Sequence, residues 1–338
     1  MIYEVKDMKE FQAYQLSQDD EGITGAIKTL QMSDLPSSDV TIKVHYSSVN
    51  YKDGMVTQED NALVKAYPII PGIDLAGEVV HSDDTRFHQG DKVIATSYEI
   101  GVNHPGGYSE YASIPADWIV PLPDGMTTEE AMIYGTAGFT AALSIHRLEH
   151  NGLTREAGPV LVTGASGGVG SMAVAMLAKR GYEVHASTGS KENADFLKNL
   201  GAETILSRED VYDGKQKALA SGRWAAAVDP VGGEQLASVL SKLKYSGAAA
   251  VSGLTGGTKI PTQVYPFILR GISLLGIDSV NCPMEMREKV WHRLANDMKV
   301  KEAFDAIKTV QPLQKVPETL DQILKGQIQG RTVIKIND

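Results

Sequence analysis

Val160-Leu161-Val162-Thr163-Gly164-Ala165-Ser166-Gly167-Gly168-Val169-Gly170 runs directly into Ser171-Met172-Ala173-Val174-Ala175-Met176-Leu177-Ala178-Lys179. The β-branched and aliphatic residues from Val160 to Thr163 predict a short buried parallel strand, and the apolar helix formers from Met172 to Ala178 predict a helix behind it. Four glycines lie within positions 164–170. The strand has to turn sharply into the helix there, and a Cβ would hold the main chain away from a pyrophosphate seated on the helix's free N–H groups. The spacing Gly164-x-x-Gly167-x-x-Gly170, with Gly168 inserted, is a relative of the G-x-G-x-x-G fingerprint rather than a literal copy. Tyr182-Glu-Val-His-Ala186 follows as a second strand, and the strand, helix, strand unit points to a dinucleotide site.

The chain around this unit has 338 residues, enough for two domains with their own cores. Its 42% apolar and 22% charged residues are those of an ordinary globular protein. A formal net charge of -10 argues against nucleic acid or an anionic membrane as the main partner, so an anionic ligand would need local Lys, Arg or helix termini. The single cysteine, Cys282, excludes an internal disulfide and a thiolate metal cluster, and fits a reducing compartment. Neither a signal-like start nor a run as long as a membrane span is visible, so a cytoplasmic protein is expected.

Residues 1–126 read as a compact β domain. Thr41-Ile-Lys-Val-His-Tyr46 alternates like a half-buried strand, Gly77-Glu-Val-Val80 and Gly90-Asp-Lys-Val-Ile-Ala95 add others, and Gly106, Gly107, Pro115, Pro121 and Pro123 supply turns. Thr127-Thr-Glu-Glu130 then starts a helix, with apolar periodicity to His146 interrupted by Gly135 and Gly138 and an end near Asn151-Gly152. Strands at 160–163, 182–186, 204–206, 225–229, 248–252 and 272–277 alternate with helices, the signature of a doubly wound parallel sheet over 127–298. The tail, 299–338, reads as an apolar-periodic helix, a helix starting at Val316-Pro-Glu-Thr319, and a last strand Thr332-Val-Ile-Lys-Ile336 expected to return to the N-terminal β domain.

Ser48-Val-Asn50-Tyr51-Lys52-Asp53, Ile70-Pro-Gly72-Ile-Asp74-Leu-Ala-Gly77, Gly135-Thr-Ala-Gly-Phe-Thr140-Ala141, the glycine turn, Gly247 and Gln329-Gly-Arg331 together resemble the medium-chain dehydrogenase/reductase superfamily. Within it they are similar to the zinc-free quinone oxidoreductase branch. Asn50-Tyr-Lys-Asp-Gly54 and the stretch from Phe267-Ile-Leu-Arg270-Gly271 to Leu275-Gly-Ile-Asp278-Ser279 resemble the acrylyl-CoA reductase-like subfamily.

The resemblance implies an α/β protein with a GroES-like β domain and a Rossmann domain, an active site in the cleft between them, and a homodimer. In zinc-dependent members a cysteine stands at the position of Asn50 and a Gly-His-Glu at Gly72-Ile73-Asp74. Those ligands and the cysteine-rich zinc lobe are missing here, so no metal is expected. His146-Arg-Leu-Glu-His150 has two imidazoles one helical turn apart but no third ligand, and reads as an exposed helix end.

Ser187-Thr188-Gly189-Ser190-Lys191 follows the second strand with no carboxylate at the strand end, where a ribose 2′-hydroxyl would want one. The resemblance puts Thr188, Gly189, Ser190 and Arg208 around a 2′-phosphate, so NADPH is the expected cofactor. It also implies Thr140 near the nicotinamide, Ser166, Gly167, Gly168 and Val169 at the pyrophosphate, Leu254, Ile268 and Ser279 on the nicotinamide side, and Arg331 reaching the phosphates. The implied reaction is hydride transfer to an activated carbon-carbon double bond, with an acrylyl-CoA-like enoyl thioester as substrate. Negative charge then builds on the carbonyl oxygen, and Asn50 and Tyr51 are the neutral donors available to it. Tyr51 also fits a role in positioning the nicotinamide, and the sequence leaves both roles open. Lys52 and Asp53 are expected to pair locally, and Asp74 to serve as a structural hydrogen-bond acceptor. A quinone reductase is the alternative enzyme, and a protein that binds NADPH without turnover the alternative of another class.

Overall fold

The computed structural model describes residues 10–337. The chain divides into two compact units: one contains residues up to Thr136 together with Val280–Lys289 and the chain from Lys308 onward, the other Ala137–Ser279 and Val290–Ile307. The first boundary falls ten residues past the expected one at 126, at a break in a helix. Thr128–His150 is one helical stretch interrupted at Gly135, whose φ of 49° leaves the right-handed helical region.

The first unit is built on a seven-stranded sheet. Its order is Lys308–Pro312, Arg331–Lys335, Val40–Val49, Asp74–Ser82, Lys92–Thr96 and Ile119–Pro121, with Tyr111–Ile114 also paired to Val40–Val49. Alternation decides which face of the central strand is buried. Val40, Ile42 and Val44 face in and Thr41, Lys43 and His45 are half-buried. The inward set packs with Leu75, Val79, Val93, Ile114 and Ile119 as one core. Near Val49 the polar residues Ser47, Ser48 and Asn50 are buried too, so the polarity rule reverses at this end of the sheet.

The last strand is Arg331–Lys335, antiparallel to Val40–Val49 with Thr332 opposite Val49. The tail thus joins the sheet of the first unit. The periodic helix expected after 300 is short: a 3-10 turn, Lys301–Ala303, runs into Phe304–Ile307, which buries Phe304 and Ile307, and Lys308–Pro312 then continues as an edge strand parallel to Arg331–Lys335. Val310, exposed on that edge, lies past the end of the helix.

The second unit carries a six-stranded parallel sheet in the order Thr204–Leu206, Val184–Ser187, Val160–Val162, Trp224–Asp229, Leu243–Val251, Ser273–Gly276. Counted from the glycine-turn strand, that order is 3-2-1-4-5-6, the doubly wound Rossmann arrangement. The two halves diverge between Val160–Val162 and Trp224–Asp229, the switch point at whose carboxyl end sheets of this order bind ligands. Helix Gly168–Lys179 buries eight consecutive residues, Gly170 to Leu177, as its almost wholly apolar sequence requires. No helix among the described residues is long and apolar enough to cross a membrane.

Candidate functional site

In the second unit, Val160–Val162 ends at Thr163 and the chain turns through Gly164, whose φ is +53°. A Cβ on Gly170 would overlap the Gly164 carbonyl, so the turn closes only with glycine there. Gly167 is different. It has ordinary extended backbone, and a Cβ built on it would meet nothing nearer than the Gly164 oxygen at 3.5 Å. Nothing in the chain requires that position to be bare, whereas a phosphate lying against the main chain does.

The helix begins at Gly168, and its first internal bond is donated by Ser171 to the Gly167 carbonyl at 2.9 Å. The N–H groups of Gly168, Val169 and Gly170 therefore have no carbonyl of their own helix. No acid stands in the first turn to compete with an anion. Ser166 Oγ lies 3.3 Å from Thr188 Oγ1, and the Ala165 N–H donates to the Ser187 carbonyl, joining this turn to the next strand end.

Thr188 is buried, Gly189 is exposed and Ser190 half-buried at the end of Val184–Ser187. The Arg208 guanidinium is laid on Gly189, with Cζ 2.5 Å from where a Cβ would be. The exposed Arg208 guanidinium makes no hydrogen bond or ion pair with any described residue. A free guanidinium among two hydroxyls suits a phosphate. Leu254 and Ile268 are 56% and 70% exposed, which excludes a core role for them. Ser279 is half-buried, and Thr140 is buried on its helix, where its carbonyl accepts from Ser144 Oγ.

In the first unit, Tyr51 opens the short helix Tyr51–Met55 and is 44% exposed, and its hydroxyl makes no hydrogen bond with any described residue. Two features hold that helix. The Asp53 carboxylate accepts from the Asn50 backbone N–H and the Ile73 N–H, both at 2.8 Å. Gly54 packs so closely on Leu324 that a Cβ would lie 2.8 Å from its Cγ.

Behind the helix lies a buried polar cluster. Asp74 Oδ2 accepts from Ser48 Oγ at 2.6 Å, Asn50 Nδ2 at 2.7 Å and the Thr136 N–H at 2.8 Å, while Oδ1 accepts from Thr136 Oγ1 at 2.5 Å. The Arg331 guanidinium donates to Ile133 O, Val49 O, Asn50 Oδ1 and Ser48 Oγ, and lies 4.0 Å from Asp74. Tyr108 Oη donates to the Ser48 carbonyl at 3.3 Å. Burial, reinforced by the nearby Asp74 charge, pushes the Asp53 carboxyl up to about 7. Burial likewise pushes the Tyr108 phenol well above its ordinary value, with Asp53 and Asp74 adding to it.

Three expectations change. Arg331 does not reach toward phosphates, since its guanidinium is buried and used up inside the first unit. Asn50 is not a free donor for a substrate oxygen: its amide N–H groups go to Asp74 and Asp53 and its carbonyl to Arg331. Lys52 and Asp53 form no ion pair, because Asp53 points inward to main-chain N–H groups. Asp74 has the expected structural acceptor role. Ser48, Tyr108 and Thr136 carried no assigned role; Ser48 is signalled by two polar residues, Ser47 and Ser48, where the strand calls for apolar ones, while Tyr108 lies in a loop and Thr136 in a helix with no such signal. His146, expected at an exposed helix end, lies 3.2 Å from the Arg293 guanidinium. No group of three or more His, Cys, Asp or Glu among the described residues could hold a metal ion.

Comparison with known proteins places this geometry. Residues 36–124 match the family described as alcohol dehydrogenase GroES-like domain, and residues 168–296 the family described as zinc-binding dehydrogenase. A Bacillus subtilis (strain 168) protein, YhfP, provisionally named a quinone oxidoreductase, is 57% identical over 96% of this chain and 99% of its own. Its crystal structure with NAD bound superposes with a TM-score of 0.95, again covering 96% and 99% of the two chains. The acrylyl-CoA reductase AcuI of Ruegeria pomeroyi is 48% identical over 97% of this chain and 99% of that protein. The yhdH oxidoreductase of Salmonella enterica, solved in complex with NADP, is 44% identical with a TM-score of 0.94, over 96% of this chain and 100% of that one. The chain belongs to the medium-chain dehydrogenase/reductase superfamily of oxidoreductases, in its acrylyl-CoA reductase-like branch.

Proposed function

We propose that this protein is an NADPH-dependent reductase of activated carbon-carbon double bonds, with an acrylyl-CoA-like enoyl thioester as substrate. The observation that carries the cofactor choice is the Arg208 guanidinium, without a hydrogen-bond or ion-pair partner among the described residues, lying on Gly189 beside Thr188 and Ser190 with no carboxylate at the strand end. The 48% identity with an acrylyl-CoA reductase over nearly the whole of both chains supports the substrate. When bound, reduced nicotinamide supplies a hydride to the β-carbon of the thioester, and a proton reaches the α-carbon. The bare main chain at Gly167 and the N–H groups of Gly168 to Gly170 hold the pyrophosphate. Leu254 and Ile268, apolar and exposed, face the nicotinamide side.

Tyr51 is the group left to serve the substrate carbonyl, because Asn50 is committed to Asp74 and Arg331. Its phenol O–H is a neutral donor at the oxygen where negative charge develops. Asn50, Asp53 and Asp74 set the position of Tyr51 and are not themselves proton donors to substrate.

The 57% identity with YhfP favours a second reading, reduction of a quinone by the same cofactor. Turnover of a panel of enoyl-CoA thioesters and of quinones, followed by loss of reduced-nicotinamide absorbance, decides between them. The first reading expects kcat/KM highest for a short enoyl-CoA; turnover of quinones alone would reject it.

A further inference from the structure

Asp229 ends the strand Trp224–Asp229, directly across the switch point from the glycine turn, and is completely buried. Parallel pairing sets Val228 beside Val162, so Asp229 stands next to Thr163, the residue before Gly164. Thr163 Oγ1 donates to Asp229 Oδ1, and the Gly232 N–H donates to Oδ2 at 2.9 Å. One carboxylate therefore ties the turn at 163–170 to a second turn at 230–233. Val231 fills the space over Gly164, with Cγ2 3.1 Å from the position a Cβ would take, and its carbonyl accepts from the Gly256 N–H at 2.8 Å.

No cation pairs with Asp229 among the described residues. Burial raises its pKa, while the bonds from Thr163 and Gly232 act the other way. An unpaired buried acid is a poor choice for stability alone. An asparagine of the same size could accept from Gly232 and donate to the Thr163 hydroxyl, but it would lose the charge that strengthens both bonds. The geometry asks for one charged acceptor shared by both turns.

We propose that Asp229 is a positioning residue for the cofactor pyrophosphate: by holding Thr163 and Gly232 together it fixes the glycine turn with the N–H groups of residues 168–170 presented to phosphate. The proposal rests on the nucleotide reading of that turn. It confines the effect of Asp229 to ligands that carry a pyrophosphate. The 2′-phosphate end, held by Thr188, Ser190 and Arg208, makes no hydrogen bond with Asp229 and is linked to the turn only through Ser166–Thr188 and Ala165–Ser187.

The test is the dissociation constant of three probes, NADPH, 2′-phospho-ADP-ribose and 2′-AMP, for the full-length protein and its Asp229→Asn, Thr163→Val and Thr163→Ser variants. Asp229→Asn and Thr163→Val are expected to weaken NADPH and 2′-phospho-ADP-ribose about tenfold, the scale of a hydrogen bond to a charged group. Binding of 2′-AMP should stay within about twofold, and Thr163→Ser, which keeps the hydroxyl, should bind like the parent. Near-ultraviolet circular dichroism shows whether each variant is folded, and the two threonine variants decide the matter if Asp229→Asn is not. Equal weakening of all three probes, or none, overturns the proposal. A parent protein that binds none of the probes overturns the nucleotide reading itself, and the proposal with it.

Discussion

Asn50 donates its side-chain amide to Asp74 Oδ2 at 2.7 Å while its carbonyl accepts from Arg331 Nη1 at 3.2 Å. A buried carboxylate and a buried guanidinium thus meet through a neutral residue, and that residue caps the helix that carries Tyr51. Arg331→Met would leave Asp74 buried without its cation. Removing one partner of such a buried pair costs about 3–5 kcal/mol. Urea unfolding should show a loss on that scale, and a loss below about 1 kcal/mol would mean that Arg331 does not neutralise the cluster.

Asp53 gives the cluster a pH signature. With its carboxyl at about 7 in the folded chain against an ordinary value of 3.8, the folded state holds a proton that the unfolded chain has released over that interval. Stability from this group is therefore full below the unfolded value, falls as pH rises toward 7, and is level above it. The groups facing it are Asp74, Tyr108 and Arg331. Asp53→Asn should flatten the difference in unfolding free energy across that window relative to the parent. Two parallel curves would show that Asp53 titrates normally.

Two glycines of one turn should respond in opposite ways. Gly167→Ala has room within the chain, so its thermal unfolding should match the parent while NADPH affinity falls about tenfold or more. Gly170→Ala puts a methyl into the Gly164 carbonyl and should destabilise the fold itself. Undiminished NADPH binding by Gly167→Ala would remove the turn from the phosphate site.

Arg208→Ala should raise KM for NADPH by about 10- to 100-fold, the worth of a charge-assisted phosphate contact, with little change for NADH. Equal changes for the two cofactors would show that Arg208 does not read the 2′-phosphate.

Tyr51→Phe should lower kcat about 100-fold or more if the phenol stabilises developing charge, with KM for NADPH nearly unchanged. A rise in that KM with kcat preserved would assign Tyr51 to the cofactor instead.

The glycine turn and the alternation of strands with helices were legible because their signals are local: a glycine spacing, a buried helix, strands separated by helical stretches. The buried cluster was not, because it gathers residues 48, 50, 53, 74, 108, 136 and 331 from segments distant in sequence. Asn50 and Arg331 read as ligand-facing because each is a strong donor at a motif position. Only the placement of their partners shows that both donors are consumed inside the first unit. Leu254 and Ile268 were assigned to the nicotinamide side by the resemblance alone, since an apolar residue reads equally as core until its exposure is known.

Hydride delivery from NADPH to the β-carbon of an enoyl thioester is the reaction we propose. Turnover of acrylyl-CoA with NADPH deuterated at the transferable position of the nicotinamide, followed by mass and NMR analysis of the product, tests it directly. One deuterium on the β-carbon of propionyl-CoA for each NADPH consumed is the expected result; a product without deuterium, or no product at all, would contradict it.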